Sequence, residues 1–246
     1  MNQLSRRRAA LLIAAWITAM HVPLHASAAT TPRVIVAFGD SITEGAGAVK
    51  ENGKPVNYPD RLAARLGALP GGAGATVINA GIAGNRLLAD GVGPKGISRF
   101  EHDVLAQPGI THVVILIGIN DIGFSMPEGA SEPIRGQPPA EELIVGLQAL
   151  IQQAQVRGVK VLLGTLPPFK GASYWSKEKE SRRDVVNRWI RTRRNVDAVI
   201  DFDAAMRDPA DPEALKPAYD SGDHLHPGNA GYAAMADAID LQALRK

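Results

Sequence analysis

Ser41 stands in the stretch "FGDSITE", directly behind the apolar run "RVIVAF" (33–38) and beside the carboxylate of Asp40. A serine hydroxyl becomes a nucleophile only when a base lies within hydrogen-bond reach and a third group orients that base. Beyond the first 28 residues the chain holds four histidines: His102, His112, His224 and His226. His102 falls inside a helix-like segment and reads as a surface residue. His112 opens a strand at the wrong end of the sheet. His224 and His226 lie in "SGDHLHPGNAGY", a polar loop just ahead of the last helix-like segment. Asp223 precedes His226 by three residues. A turn closes that spacing, so the carboxylate would hold Nδ1–H and aim Nε2 at Ser41, the division of roles in a Ser-His-Asp triad. Extension alone does not separate His224 from His226. His226 is preferred because its Asp partner spans a turn, whereas His224 merely adjoins Asp223. Asp40 is expected to point away, into the backbone of its own turn.

A second reading of Ser41 stands beside this one. "SITE" is S-x-x-E, the capping box that opens a helix, and a capping serine needs no catalytic role. The "GAGA" that follows is poor helix material, and Gly39 would let the backbone turn sharply and expose the hydroxyl. Nucleophilic attack on a carbonyl also needs donors for the oxyanion. "NAGIAGN" (79–85) supplies Gly81 and Gly84, and "GIND" (118–121) supplies the amide of Asn120. The same Asp, Asn and His types suit a metal phosphoesterase, but no D-x-H follows the first strand and two histidines are few for a two-metal centre. A non-catalytic carbohydrate-binding protein is a further alternative, against which the intact serine and histidine count.

These side chains need a scaffold that gathers them. Five runs rich in Val and Ile read as strands buried on both faces: 33–38, 76–80, 112–118, 160–166 and 197–202. Helical stripes lie between them, marked by Leu62, Leu66 and Leu69, by roughly 97–107, by Leu143, Leu147, Leu150, Ile151 and Ala154, and by Val185, Val186, Trp189 and Ile190. Tyr232, Met235, Ala236, Ile239 and Ala243 form the last stripe. Alternating strand and helix predicts one three-layer α/β/α domain with a central five-stranded parallel sheet, over 29–246. Ligands of such sheets bind beyond the carboxyl ends of the strands. The loops there begin at Gly39, Gly81, Gly118, Pro167 and Asp203, so the candidate residues fall on the expected edge.

The chain has 246 residues, 45% of them hydrophobic and 21% charged, an ordinary globular balance. Residues 1–28 differ. Arg6, Arg7 and Arg8 precede an apolar run from Ala9 to Met20, and Ala26-Ser27-Ala28 closes it, the order of a secretory signal peptide. Without them, 24 basic residues face 25 acidic ones, a net charge of −1, and nothing points to nucleic acid. There is no Cys, hence no disulfide, thiol nucleophile or lipid-modified cysteine. The expectation is a secreted or periplasmic protein without stable membrane insertion after cleavage.

Taken together, "GDSIT", "NAGIAGN", "GIND" and "DHLHP" resemble, in order, the four blocks of the GDSL or SGNH hydrolase family. The resemblance implies a flavodoxin-like fold, Ser41 as nucleophile, Asp223 and His226 as its partners, and an oxyanion hole from Ser41 N–H, Gly84 N–H and Asn120. It places the backbone donor on Gly84 rather than Gly81. Ile119 departs from the family, where a smaller residue is common. The implied activity is hydrolysis of carboxylic esters with no cofactor and no metal. Short acyl groups, acetyl above all, on carbohydrate or aryl alcohols are the expected substrates; lysophospholipase, lipase or thioesterase action on longer chains is the alternative. Segment 124–139 and Tyr174 and Trp175 should border the site, the two aromatics either stacking on sugar rings, lining an acyl pocket or packing the fourth helix. The basic stretch from Lys177 to Arg194 reads as a solvated helix face.

Overall fold

The computed structural model describes residues 33–51, 54–69, 74–124 and 138–245. The expected signal peptide and nearly all of segment 124–139 lie outside them. The strands are β1 Arg33–Gly39, β2 Lys50–Glu51, β3 Lys54–Pro55, β4 Ala75–Gly81, β5 Ile110–Leu116, β6 Lys160–Gly164 and β7 Ala198–Ile200. β2 and β3 form a small antiparallel hairpin that hydrophobic pattern does not announce. The other five form one parallel sheet in the order β4-β1-β5-β6-β7. The chain steps from β1 outward to β4, then crosses back past β1 to β5. That reversal makes the gap between β1 and β5 the switch point, where open α/β sheets leave a crevice for ligands.

The helices are α1 Ser41–Glu44, α2 Tyr58–Gly67, α3 Gly96–Phe100, α4 Ile119–Gly123, α5 Ala140–Val156, α6 Lys177–Arg191, α7 Phe202–Met206 and α8 Asn229–Asp237. α2 packs on α8 and β4, whereas α5 packs on α3, α6 and β6, so helices cover the sheet in two layers. The cores of β1, β5 and β6 are buried on both faces, as their continuous apolar sequence demands. β4 departs from expectation. None of its residues is fully buried, because it is an edge strand. Phe38 of β1 meets Phe100 edge to face, centroids 5.1 Å apart.

Three further expectations are corrected. The segment 97–107 is α3 followed by a π-helical turn, Glu101–Leu105. The last stripe outruns its helix: Ile239 and Ala243 are buried but lie beyond α8, in turns. The basic stretch is only partly solvated. Arg183 is buried and bonds Glu180, Asp203 and the Leu166 carbonyl. With Asn187, which binds Leu166 through both N–H and C=O, it pins the loop that leaves β6.

Leu162 is fully buried in the middle of β6. Leu162→Ala removes its packing atoms and leaves a cavity, so urea unfolding is expected to show a loss of about 2–5 kcal/mol.

Candidate active site

β1 ends at Gly39 and α1 begins at Ser41. Gly39 is a glycine for space: a Cβ there would lie 2.1 Å from Thr43 Oγ1 and 2.4 Å from the Leu116 carbonyl oxygen. The sharp turn expected of it is absent, since it pairs in register to the last residue of β1. The N-cap of α1 is Asp40, whose Oδ1 accepts the Ile42 N–H at 3.0 Å. The capping-box reading of Ser41 is thereby displaced. Asp40 performs the capping, pointing into its own turn as expected, and the serine hydroxyl is released.

That hydroxyl meets an imidazole from the far end of the chain. Ser41 Oγ is 2.8 Å from His226 Nε2, across a separation of 185 residues. His226 Nδ1 is 2.5 Å from Asp223 Oδ2. Asp223 Oδ1 also accepts the backbone N–H groups of His226 (2.8 Å) and Leu225 (3.0 Å). Partial burial pushes this carboxyl up, but hydrogen bonds from the His226 ring, His226 N–H and Leu225 N–H outweigh it and hold it at about 2. It is therefore ionised near neutrality and accepts only. Nδ1 must carry the proton and Nε2 is left bare to take one from Ser41.

The ambiguity between the two histidines is resolved by the backbone. His224 has φ 62°, the sole positive φ outside glycine among the described residues. The loop is not extended, and each histidine has its own acid: Asp220 Oδ2 lies 2.6 Å from His224 Nδ1. His224 packs over Gly171, and its Nδ1 is engaged by Asp220. His102 is exposed, as expected. His112 is buried near the start of β5, and burial with Lys160 nearby lowers it to about 4, so it stays neutral.

The candidate oxyanion donors sit on three connections, after β1, β4 and β5, the last two bonded to each other. Ser41 is the first residue of α1, so its N–H has no intrahelical acceptor. Asn85 N–H donates to the Ile82 carbonyl at 3.0 Å, closing a β-turn with Gly84 third at φ 69°. A positive φ at the third position of a turn is one that glycine adopts without strain. Asn120 Nδ2 donates to the Asn85 carbonyl at 3.0 Å, which ties the end of β5 to this turn and leaves a second amide hydrogen. Gly81 plays another part: a Cβ there would meet Glu44 N at 2.2 Å, so it permits close approach of β4 to α1.

Two residues that pattern reading passed over complete the frame. Arg99 of α3 is buried and donates to the carbonyls of Gly39 (2.6 Å) and Ala80 (2.9 Å), to Asn85 Oδ1 (2.9 Å) and to Asp103 (2.8 Å). Asp121 accepts the N–H groups of Leu87 (2.7 Å) and Leu88 (2.9 Å). Their signal was faint: a lone Arg in a helical segment, and the Asp that follows Asn120. Tyr174 settles by packing. Its ring occupies the space a Gly123 side chain would take and touches Phe124 and Phe169. The Tyr174 hydroxyl and the Trp175 N–H are buried without partners among the described residues. Among the described residues no group of three or more His, Asp or Glu could hold a metal, and no helix is long and apolar enough to cross a membrane.

The arrangement can activate a hydroxyl and shuttle one proton through an imidazole. The family model of GDSL-like lipases and acylhydrolases matches residues 37–234. No curated protein matches the chain. Among solved structures, a catalytic mutant of the acetylxylan esterase Axe2 from Geobacillus stearothermophilus aligns with TM-score 0.62 and 24% identity, over 87% of this chain and 94% of its own. LAE5, an alpha/beta hydrolase from the metagenome of Lake Arreo, Spain, aligns at 0.63 and 22%, over 87% and 94%. A member of the lipolytic G-D-S-L family from Veillonella parvula DSM 2008 aligns at 0.56 and 18%, over 84% and 95%. At these identities the likeness is one of fold.

The Asp223 carboxyl, depressed on folding, stabilises the protein above its unfolded value of 3.8, and that contribution is lost as pH falls through about 2. The stability gap between wild type and Asp223→Asn, read by urea unfolding, is expected to be full at pH 5 and to narrow as the acid is titrated. A gap independent of pH would remove the charge from Asp223.

Proposed function

This chain belongs to the GDSL-like lipase/acylhydrolase family, and on that premise we propose that it is a serine esterase in which Ser41, His226 and Asp223 carry acyl transfer. The observation that carries this reading is the unbroken file Ser41–His226–Asp223, with contacts of 2.8 and 2.5 Å. Ser41 Oγ attacks the ester carbonyl and its proton passes to His226 Nε2. The carbonyl electrons move to oxygen, where Ser41 N–H, Gly84 N–H and Asn120 Nδ2 receive the charge. Collapse breaks the bond to the alcohol oxygen, and His226 returns the proton to that oxygen. Water then loses a proton to the same Nε2 and attacks the acyl-enzyme carbonyl; collapse breaks the acyl–Oγ bond, releases the carboxylic acid and returns the proton from His226 to Ser41 Oγ.

The finer reading is that the acyl group is short, acetyl above all, and the alcohol a carbohydrate or an aryl alcohol. Support comes from the aromatic packing beside α4. The Tyr174 ring lies where a Gly123 side chain would go and packs against those of Phe124 and Phe169, taking up apolar space that a long chain would need. The acetylxylan esterase among the structural neighbours has the same fold. Export to the periplasm or beyond is part of the proposal, supported by the basic start and apolar run of residues 1–28.

A fluorophosphonate should label the wild type and leave Ser41→Ala unlabelled. Ser41→Ala and His226→Ala should lose nearly all hydrolysis of p-nitrophenyl acetate, while His224→Ala keeps most of it. Native-rate turnover by Ser41→Ala would end the assignment. Asn120→Ala is expected to lower kcat by about 10²–10³. Across an ester series, rates should fall with acyl length; activity confined to long chains would refute the short-acyl reading.

A further inference from the structure

Asp40 takes no part in that proton path, yet it is the carboxyl group covalently next to the nucleophile. It is 1% exposed. Oδ1 accepts the Ile42 N–H, while Oδ2 is buried with no hydrogen-bond partner among the described residues. The groups that feel its charge come from every side: Asp121 from α4, Arg99 from α3, Tyr58 from α2, Tyr232 from α8 and Tyr174 from the loop after β6. Arg99 is the cation of this set, and its donors are committed to Gly39, Ala80, Asn85 and Asp103. A carboxylate with one bare oxygen in a dry site, with a second carboxyl nearby, is costly; the neutral acid is the cheaper species.

We propose that Asp40 is a positioning residue that works as a neutral acid. It caps α1 through Ile42, leaves Ser41 N–H and Oγ uncommitted, and keeps negative charge away from the nascent oxyanion. This rests on the esterase reading. Burial, the dominant influence, pushes the Asp40 carboxyl up to about 7. On deprotonation, a buried charge appears on the residue next to the nucleophile, opposing the second negative charge that must form during acyl transfer. Turnover should therefore fall as Asp40 ionises. Asp223, held at about 2, is constant across this range. Asp121, raised to about 6 by burial, is present in every variant compared.

The test is the pH dependence of kcat for p-nitrophenyl acetate between pH 5.5 and 9.5 in wild type, Asp40→Asn and Asp40→Ala. Asn keeps an acceptor for Ile42 and stays neutral. The wild type should lose activity above pH 7 and Asp40→Asn should not, so their kcat ratio should grow by about tenfold or more toward pH 9. Asp40→Ala loses the cap and should be slow at every pH. Superposable profiles for wild type and Asp40→Asn would overturn the inference, as would an Asp40→Asn enzyme slow at every pH. A wild type without any esterase activity would instead sink the esterase reading, and the positioning role with it.

A readout independent of turnover is the melting temperature against pH. An acid raised on folding stabilises fully below its unfolded value of 3.8, and that contribution is lost as pH rises through about 7. Relative to wild type, Asp40→Asn should gain between pH 4 and 7 and level off above. If Asp40→Asn folds poorly, carboxyl NMR of ¹³C-Asp wild type replaces it: no Asp carboxyl titrating near 7 overturns the proposal.

Discussion

A buried guanidinium at the end of a parallel sheet is what the rest of this structure leans on. Taking Arg99 out of water is expensive unless its donors find acceptors. Here the acceptors are the last carbonyl of β1, the Ala80 carbonyl of β4, the side chain of Asn85 and the carboxylate of Asp103, with the ring of Phe38 beneath at 4.0 Å. The four acceptors belong to four different segments of the chain. One cation thus couples the strand that delivers Ser41, the strand that delivers the Gly84 turn, and the turn itself. Asn120 extends the same chain of bonds from Asn85 to the end of β5. These polar bonds tie together the strand ends on either side of the sheet's switch point.

The carboxyl groups around the site divide by environment. Asp223 lies at the loop surface, takes hydrogen bonds on both oxygens and stays charged. Asp40 and Asp121 are buried, and burial drives both toward the neutral form. The ionised acid lies behind the imidazole, where an imidazolium would form, and the carboxyl that burial raises furthest, Asp40, is the residue next to the nucleophile. Opposite placement would oppose both charges of the transition state.

The loop that carries the imidazole is built by local competition for backbone donors. Asp220 Oδ1 accepts the N–H groups of Gly222 and His224, and Asp223 Oδ1 those of Leu225 and His226. These bonds accompany a positive φ at His224, a conformation that costs an ordinary residue about 1–2 kcal/mol, and each ring takes a different acid, His224 with Asp220 and His226 with Asp223. The strain sits in the loop, while the loop ends are tied down by Ser221 N–H to the His226 carbonyl and Gly228 N–H to the Tyr219 carbonyl.

Much of this was legible in residue order. Continuous apolar runs marked all five strands of the main sheet because central parallel strands are wet on neither face, and Ser41, Asn120, Asp223 and His226 stood out because their types and their places after strands are chemical requirements. β4 was misjudged, since an apolar run does not say which strand ends at an edge. The burial of Arg183 and Arg99 is not legible in sequence, because a charge is buried only when enough acceptors surround it, and several of these are backbone carbonyls that every residue possesses: Gly39 and Ala80 for Arg99, Leu166 for Arg183. For the same reason the choice between Asp40 and Ser41 as the cap of α1 had to wait for the fold: both can accept a backbone N–H, and only the arrival of His226 from 185 residues away gives the hydroxyl a better partner. Sequence alone determined which groups were available and on which edge of the sheet they would emerge. Tertiary structure decided their partners and their charge states, because hydrogen bonding and desolvation depend on distances that only the folded chain sets.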